Sequence, residues 1–279
     1  MLQSFTTTTN NLKEMRNLFI EMTEHNCNQR CRHCYIDFPL KKNVRDFIPI
    51  EKVSDALNDL KNENLQLIYL TGAEPMLHPN FNAILRLCLT KTPVCICTNA
   101  SLINEKKARF LKKVEQEGSN EIIFKLSLDH YDEIKNDNIR SRGAYRQTLN
   151  AIKSLIKYDF NPIITITNYY GEPEDKLKSE FKKIFNKIGF ETSEINYQIN
   201  PYHDRYKEYE NEIKPTKNFD CNWGRTLTNK GVYTCPFLAN DHRGFSGCDF
   251  KNFADKNTLE SEFCQTCSKT KEKMFGLNL

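Results

Sequence analysis

The feature that most constrains this chain is a regular beat in which short apolar runs alternate with charged segments of helical spacing. The runs fall at 18–23, 65–71, 94–98, 122–129, 163–167 and 195–200. Between them, residues 49–64, 79–89, 104–118, 143–158 and 175–188 set apolar side chains at the three- and four-residue intervals of an amphipathic helix. Parallel strands need a long crossover, usually a helix, so the beat predicts repeated strand–helix–strand units and a parallel sheet.

Strands covered on both faces normally read as unbroken Val, Ile and Leu. Four of these six do not. Glu21 with Thr23, Lys125 with Ser127 and Asp129, Thr165 with Thr167, and Asn196 with Gln198 and Asn200 place polar groups at every second position. Side chains two apart share a strand face, so one face is wet while the other packs against helices. That combination predicts an α/β fold, a partial (β/α)6 TIM-like barrel with a polar lumen, over residues 1–200. The beat stops in a proline-, tyrosine- and charge-rich linker, 201–218. Beyond it, 219–279 shows little strand or helix periodicity and reads as a small cysteine-rich module.

Composition narrows the function. The 40 basic and 36 acidic side chains leave a net charge of only +4 with no concentrated basic run, so nucleic acid is not an expected partner. No apolar run is long enough to span a membrane, and the N-terminus lacks the apolar core of a signal peptide, which points to a cytoplasmic protein. Eleven cysteines in 279 residues are dense for such a protein, and in a reducing compartment clustered cysteines mean metal or redox chemistry.

The first cluster, Cys27-x3-Cys31-x2-Cys34, directly follows the first strand-like run. Three thiolates on one loop can face a single metal centre. Zinc would want a fourth ligand, which His25 or His33 could supply. A 4Fe-4S cluster also usually takes four cysteines, so three would leave one iron open to a cofactor or substrate.

This triplet at the end of a first strand resembles the signature of the radical S-adenosylmethionine (SAM) enzymes. Gly72-Ala73-Glu74-Pro75 resembles the family's Gly-Gly-Glu-Pro motif, with Ala73 for the second glycine. Thr98-Asn99 resembles its Thr-Asn-Gly element, with Ala100 for the glycine. Ser127-Leu128-Asp129, and Arg140 followed by Gly143-Ala144-Tyr145, agree in order. The resemblance covers about residues 15–200. It implies a 4Fe-4S cluster on Cys27, Cys31 and Cys34, SAM bound at its open iron, and reductive cleavage of SAM to a 5′-deoxyadenosyl radical that abstracts hydrogen from carbon. It also implies a cofactor-binding set of Tyr35, Gly72, Ala73, Glu74, Pro75, Asn99, Ser127, Asp129 and Arg140. Glu74 or its neighbouring carbonyls would accept from the SAM ammonium, Arg140 would pair with the carboxylate, and Ser127, Asp129 and Asn99 would bond the ribose or carboxylate. A reductase such as flavodoxin or ferredoxin would be a partner.

The second cluster comprises Cys221, Cys235, Cys248 and the pair Cys264-x2-Cys267. On residue types alone, zinc and iron–sulfur are comparable. The layout resembles the SPASM and twitch extensions of radical SAM enzymes, which implies one auxiliary 4Fe-4S cluster on Cys221, Cys235, Cys264 and Cys267. Cys248 is left as an alternative ligand, a hydrogen donor to a substrate radical, or a small buried residue. Cys88, Cys95 and Cys97 are expected in the core.

The leading expectation is net oxidation of a small polar substrate of sugar or aminocyclitol type, with the auxiliary cluster as electron acceptor. The alternative is a peptide-modifying enzyme that makes a crosslink, a thioether or an epimerised residue. A zinc-binding interaction module is the reading from a different class. Only 26 residues precede Cys27, so no N-terminal leader-binding domain is expected in this chain. The lumen candidates Glu21, Lys125, Gln198 and Asn200 suit sugars, peptides or nucleotides alike.

Overall fold

A computed structural model describes residues 15–36, 46–202 and 223–253, together with residues 263, 264, 267 and 276. All six apolar runs are strands: β1 (Asn17–Glu21), β2 (Leu67–Thr71), β3 (Val94–Thr98), β4 (Ile122–Ser127), β5 (Ile163–Asn168) and β6 (Tyr197–Pro201). Each pairs in parallel with the next. The crossovers carry α1 (Ile50–Asp59), α2 (Phe81–Leu89), α3 (Glu105–Glu117), α4 (Glu133–Ile139), α5 (Ala144–Ile156) and α6 (Glu174–Lys187). Of these, α4 was not foreseen, because seven residues are too few to establish a helical period. Its start is fixed locally by Asp132, whose side chain accepts from Lys135 N, as Asn104 accepts from Lys107 N at α3.

The two faces of the sheet differ as the alternation predicts. Outward residues such as Leu18, Ile20, Ile68, Leu70, Phe124, Leu126, Ile164 and Ile166 join the apolar faces of the helices in one main core. Fully burying a side chain of this size contributes about 1.5–3 kcal/mol. Inside the barrel a second, smaller cluster of Phe19, Leu67, Tyr69 and Cys95 packs with Ile123, Cys97 and Trp223. Phe19 stacks on Tyr69 at 4.4 Å and meets the Trp223 ring edge-on at 5.4 Å. This plug fills the end of the lumen where the strands begin.

Above the plug the inner face turns polar. Register puts Glu21 beside Thr71, Cys97 beside Lys125, Ser127 beside Thr165, Thr165 beside Gln198 and Thr167 beside Asn200. Asn196 departs from the expected pattern. It lies in the short 3-10 turn before β6, where its amide bonds Asn161 Oδ1 at 2.6 Å and Pro162 O at 3.1 Å, so it fastens the start of β5 and does not line the lumen. Cys88 and Cys95 are fully buried, but Cys97 is only half-buried on the polar inner face.

The C-terminal segment enters the same sheet. The strand β7 (Gly224–Leu227) lies parallel to β1 on the side away from β2, and β8 (Val232–Tyr233) and β9 (Phe245–Gly247) follow in antiparallel pairing. The resulting order is β6-β5-β4-β3-β2-β1-β7-β8-β9. Strands of two to four residues carry no readable alternation, which is why the sequence predicts little regular structure there. Gly224 admits the Phe19 ring, since a Cβ there would lie 3.0 Å from it. The linker beyond Tyr202 and Cys221 lie outside the described residues. Among the described residues, no helix is long and apolar enough to cross a membrane.

Candidate functional site

The three clustered cysteines lie on the loop that leaves β1, above the polar end of the lumen. The loop is tied down from several sides. Arg32 N donates to Ile139 O of α4 at 2.8 Å, Cys34 N donates to Cys31 O at 3.1 Å, and Arg30 reaches the Cys27 carbonyl at 2.7 Å. Burial pushes all three thiols above their usual range, Cys34 to about 11 with the neighbouring Cys31 and Cys27 adding to the effect. Two N–H groups are aimed at the Cys27 sulfur, Gln29 N at 3.4 Å and Asn99 Nδ2 at 3.7 Å.

The Gly72-Ala73-Glu74-Pro75 segment straps the end of β2 to this loop. Ala73 N donates to Thr23 O at 2.9 Å, and Glu74 N donates to Asn26 O at 3.1 Å. Gly72 has φ +107°, and a Cβ there would meet the Thr23 carbonyl and approach Glu21 Cγ to 3.1 Å. Gly72→Ala is therefore expected to cost about 1–3 kcal/mol in a chemical denaturation experiment, and an unchanged midpoint would contradict the strap. Glu74 is fully buried and spends its carboxylate on the protein. Its Oε1 accepts from Thr98 Oγ1 at 2.7 Å and Met76 N at 3.1 Å, and its Oε2 accepts from Asn99 N at 2.8 Å. Glu74 thus locks the end of β3 to the 3-10 turn Pro75–Leu77, in which the Glu74 and Pro75 carbonyls accept from Leu77 N and His78 N at 3.1 Å each.

Asp129 and Arg140 meet in a buried network. Arg140 Nη1 donates to Asp129 Oδ2 at 2.8 Å, His33 Nε2 lies 2.7 Å from the same oxygen, and Thr167 N donates to Oδ1 at 2.9 Å. Burial alone would raise the Asp129 carboxyl, but the charges of His33 and Arg140 outweigh it and hold the group well below the usual carboxylate range. Arg140 Nε also donates to Gln29 Oε1 at 3.2 Å, and Cys31 Sγ lies 3.8 Å from that oxygen. The network therefore runs from the cysteine loop to the ends of β4 and β5. From the sequence, His33 entered only as a candidate fourth zinc ligand, and Gln29 was given no role. Their partners lie 96 and 111 residues away, and no spacing rule reports such a contact.

Ser127 stands on the inner face at the end of β4. Beside it in the lumen, Cys97 is held below the usual thiol range by a hydrogen bond from Cys95, with the charge of Lys125 helping. Tyr35 follows Cys34 and turns its ring onto Phe237 at 5.3 Å. Phe237 in turn stacks on Phe263 at 4.4 Å, which brings the turn after Cys235 beside the segment carrying Cys264 and Cys267. Cys248 is exposed at the end of β9 and does not line the cavity at the barrel mouth.

That cavity, about 520 Å³, lies between the two cysteine-bearing regions and is lined by Glu21, Tyr35, Phe237, Asn240 and their neighbours. Glu21 is 5% exposed and accepts from Asn240 Nδ2 at 2.6 Å. Burial raises its carboxyl to about 7, with Asn240 opposing and Glu24 and Asp46 adding to the rise. A folded-state value above the unfolded 4.5 means that the folded protein holds a proton the unfolded chain has released, so stability falls as pH rises between 4.5 and about 7. Glu21→Gln is expected to stabilise the protein by up to about 3 kcal/mol above that window and to have little effect below it. Melting curves at the two extremes of pH check this, and an equal effect at both would contradict it.

The donor set fits a thiolate-ligated iron–sulfur cluster. Three cysteines share one tethered loop, N–H groups point at the Cys27 sulfur, and the buried Gln29 Nε2 has no hydrogen-bond partner among the described residues. Glu24, His25 and Asp46 also bring their ligand-type atoms together nearby, but Lys230 already pairs with Glu24 at 2.7 Å.

Residues 24–184 match the Radical SAM superfamily. The antilisterial bacteriocin subtilosin biosynthesis protein AlbA of Bacillus subtilis is 31% identical over 133 residues, covering 47% of this chain and 28% of AlbA. The GTP 3′,8-cyclase of Chlorobaculum tepidum is 30% identical over 135 residues, covering 47% of this chain and 38% of the cyclase. The chain thus matches well under half the length of either relative. In fold, the chain resembles Streptococcus suis SuiB bound to precursor peptide SuiA, with a TM-score of 0.63 at 14% identity over 86% of this chain and 64% of that one. The matched segment holds the Cys27, Cys31, Cys34 loop, the Gly72–Pro75 strap and the Asp129–Arg140 network on one partial barrel, and the chain belongs to the Radical SAM superfamily.

Proposed function

We propose that the protein is a radical SAM enzyme that modifies a peptide. The observation that carries this reading is the 31% identity to AlbA, a protein of bacteriocin biosynthesis, over 133 residues of the chain. The resemblance to SuiB in complex with its precursor peptide continues over 86% of the chain, and it supports a peptide over the sugar-like alcohol expected first. The chemistry supplied by a 4Fe-4S cluster and SAM, when bound, is one-electron cleavage of the sulfonium to a 5′-deoxyadenosyl radical that takes hydrogen from carbon.

The residues of this chain would divide the work around that chemistry. Cys27, Cys31 and Cys34 hold the cluster, and Gln29 N and Asn99 Nδ2 donate to the Cys27 sulfur. Gly72, Ala73 and Pro75 shape the backbone that receives the SAM ammonium, with the Glu74 carboxylate acting as a positioning group. Arg140, fixed by Asp129 and His33, faces the SAM carboxylate; Ser127 and Asn99 bond the ribose, and Tyr35 closes one wall. The apolar plug below keeps water from entering through the base of the barrel. Cys221, Cys235, Cys264 and Cys267 would hold an auxiliary 4Fe-4S cluster, which would supply a second electron-transfer centre. A flavodoxin or ferredoxin type of reductase supplies the first electron.

The deciding experiment presents the reduced, reconstituted protein with SAM and three substrate classes: a peptide library, GTP and a set of aminocyclitols. Formation of 5′-deoxyadenosine should be stimulated by peptides, with deuterium passing from a labelled peptide carbon into the product. A peptide product lighter by two hydrogens identifies a crosslink or thioether, and a product whose mass is unchanged in H2O but gains one deuterium in D2O identifies epimerisation. Stimulation by GTP or an aminocyclitol alone overturns the reading.

A further inference from the structure

Three carboxylates line the cavity at the mouth of the barrel, and two already have cations. Glu24 pairs with Lys230 at 2.7 Å, and Asp241 pairs with Arg243 at 2.6 Å. Glu21 has no ion pair among the described residues. One of its oxygens accepts from Asn240 Nδ2 at 2.6 Å, and the other accepts no hydrogen bond there. A carboxylate only 5% exposed and lacking a cation is costly to keep, so its retention at a cavity wall asks for a ligand that compensates it. The rings of Tyr35 and Phe237 stand edge to face on the same wall, 5.3 Å between centroids, and aromatic faces attract cations. None of the residues assigned to the first cluster or the SAM motifs, apart from Tyr35, lines this cavity.

We propose that this cavity is a subsite for a basic group of the substrate, a lysine-type ammonium or an arginine guanidinium, received by Glu21 against the rings of Tyr35 and Phe237. The proposal rests on the peptide reading above and specifies which side chain of the peptide enters beside the reacting centre. Its position supports that use, because the wall is built from residues that immediately follow Cys34 on one side and Cys235 on the other. Asn240, contributed by the turn between β8 and β9, holds the Glu21 carboxylate in place. The C-terminal strands thereby complete a pocket that the barrel alone would leave open.

The raised value of the Glu21 carboxyl, about 7, gives the subsite a pH signature. Ionisation of Glu21 on passing from pH 6 to pH 8 should strengthen the binding of a cation that stays protonated throughout. The charged and titratable groups that face Glu21 are Glu24, Asp46, Lys230, Tyr35 and Tyr233, and His25, His242 and Asp241 share the cavity.

The test titrates acetyl-lysine methylamide and its uncharged counterpart, acetyl-norleucine methylamide, into the anaerobically reconstituted, SAM-loaded protein by calorimetry. At pH 8 the lysine compound should bind roughly tenfold tighter than norleucine, the scale of one charge-assisted hydrogen bond. Glu21→Gln should reduce that advantage to threefold or less while SAM binding stays intact. In the unmutated protein, lysine affinity should rise severalfold from pH 6 to pH 8 while norleucine affinity stays flat; this arm needs no variant. Equal binding of the two compounds, an advantage that survives Glu21→Gln, or a flat lysine profile each overturns the subsite. Failure of the peptide reading would show separately, as a lack of peptide-stimulated 5′-deoxyadenosine with any sequence.

Discussion

Cys31→Ala is expected to lower SAM cleavage to background and to remove about four of the roughly eight irons held by a protein with two 4Fe-4S clusters. The residue sits in the middle of the tethered loop. Its sulfur lies 3.8 Å from the Gln29 oxygen that also accepts from Arg140, and its loss removes a thiolate from the loop while the Gln29–Arg140 and His33–Asp129 contacts still tie the loop to the buried network. Cys88→Ala is the matching control. Cys88 is fully buried on α2 in the main core, and its replacement should leave iron content and cleavage unchanged at a modest cost in stability. Iron and sulfide analysis, with chromatography of 5′-deoxyadenosine, reads both variants. Cleavage that survives in Cys31→Ala would sink the assignment of the first cluster.

The second large effect concerns stability. Asp129→Asn should destabilise the protein by about 3–5 kcal/mol, because it leaves the Arg140 guanidinium buried without its counterion and takes an anionic partner from His33. For a chain of this size that corresponds to a fall in Tm on the order of 10 °C. Pairing it with Arg140→Met should recover part of the loss, since both charges are then gone, and the double-mutant cycle measures their coupling. A single-variant cost below about 1 kcal/mol would show the network to be dispensable for folding. The pH dependence has the opposite sign to that of Glu21. The folded Asp129 carboxyl is depressed, so its contribution is fully present above the unfolded value of 3.8 and is lost as pH falls below it. Acid should therefore weaken the Asp129 network while easing the burial of Glu21.

The sites differed in how far they could be read from the chain. The cluster of Cys27, Cys31 and Cys34 was legible because its members are close along the chain, and locality is what spacing records. The Gly72 strap was legible only through the motif it resembles, and the fold supplies the reason for its glycine, a φ of +107° that excludes most side chains. By contrast, Glu74 looked like a ligand-facing carboxylate, and only the fold shows its oxygens engaged by Thr98 and Asn99. Cys97 looked like core on its strand pattern, yet register sets it beside Lys125 on the polar face. The same limit applies to His33, whose role depends on a partner from another strand end.

By itself, then, the sequence determined the six parallel strands, all the helices around them except α4, the wet inner face and the clustering of three cysteines on the first loop. Those follow from periodicity and from contacts within a few residues. Tertiary structure alone decided that β7 joins β1, that Asn240 reaches Glu21 from 219 residues away, and that a cavity opens between the two cysteine regions. The physical reason is range. Backbone propensity and side-chain alternation act along the chain, whereas the pairing of strand edges and the desolvation of a carboxylate depend on segments that only folding brings together.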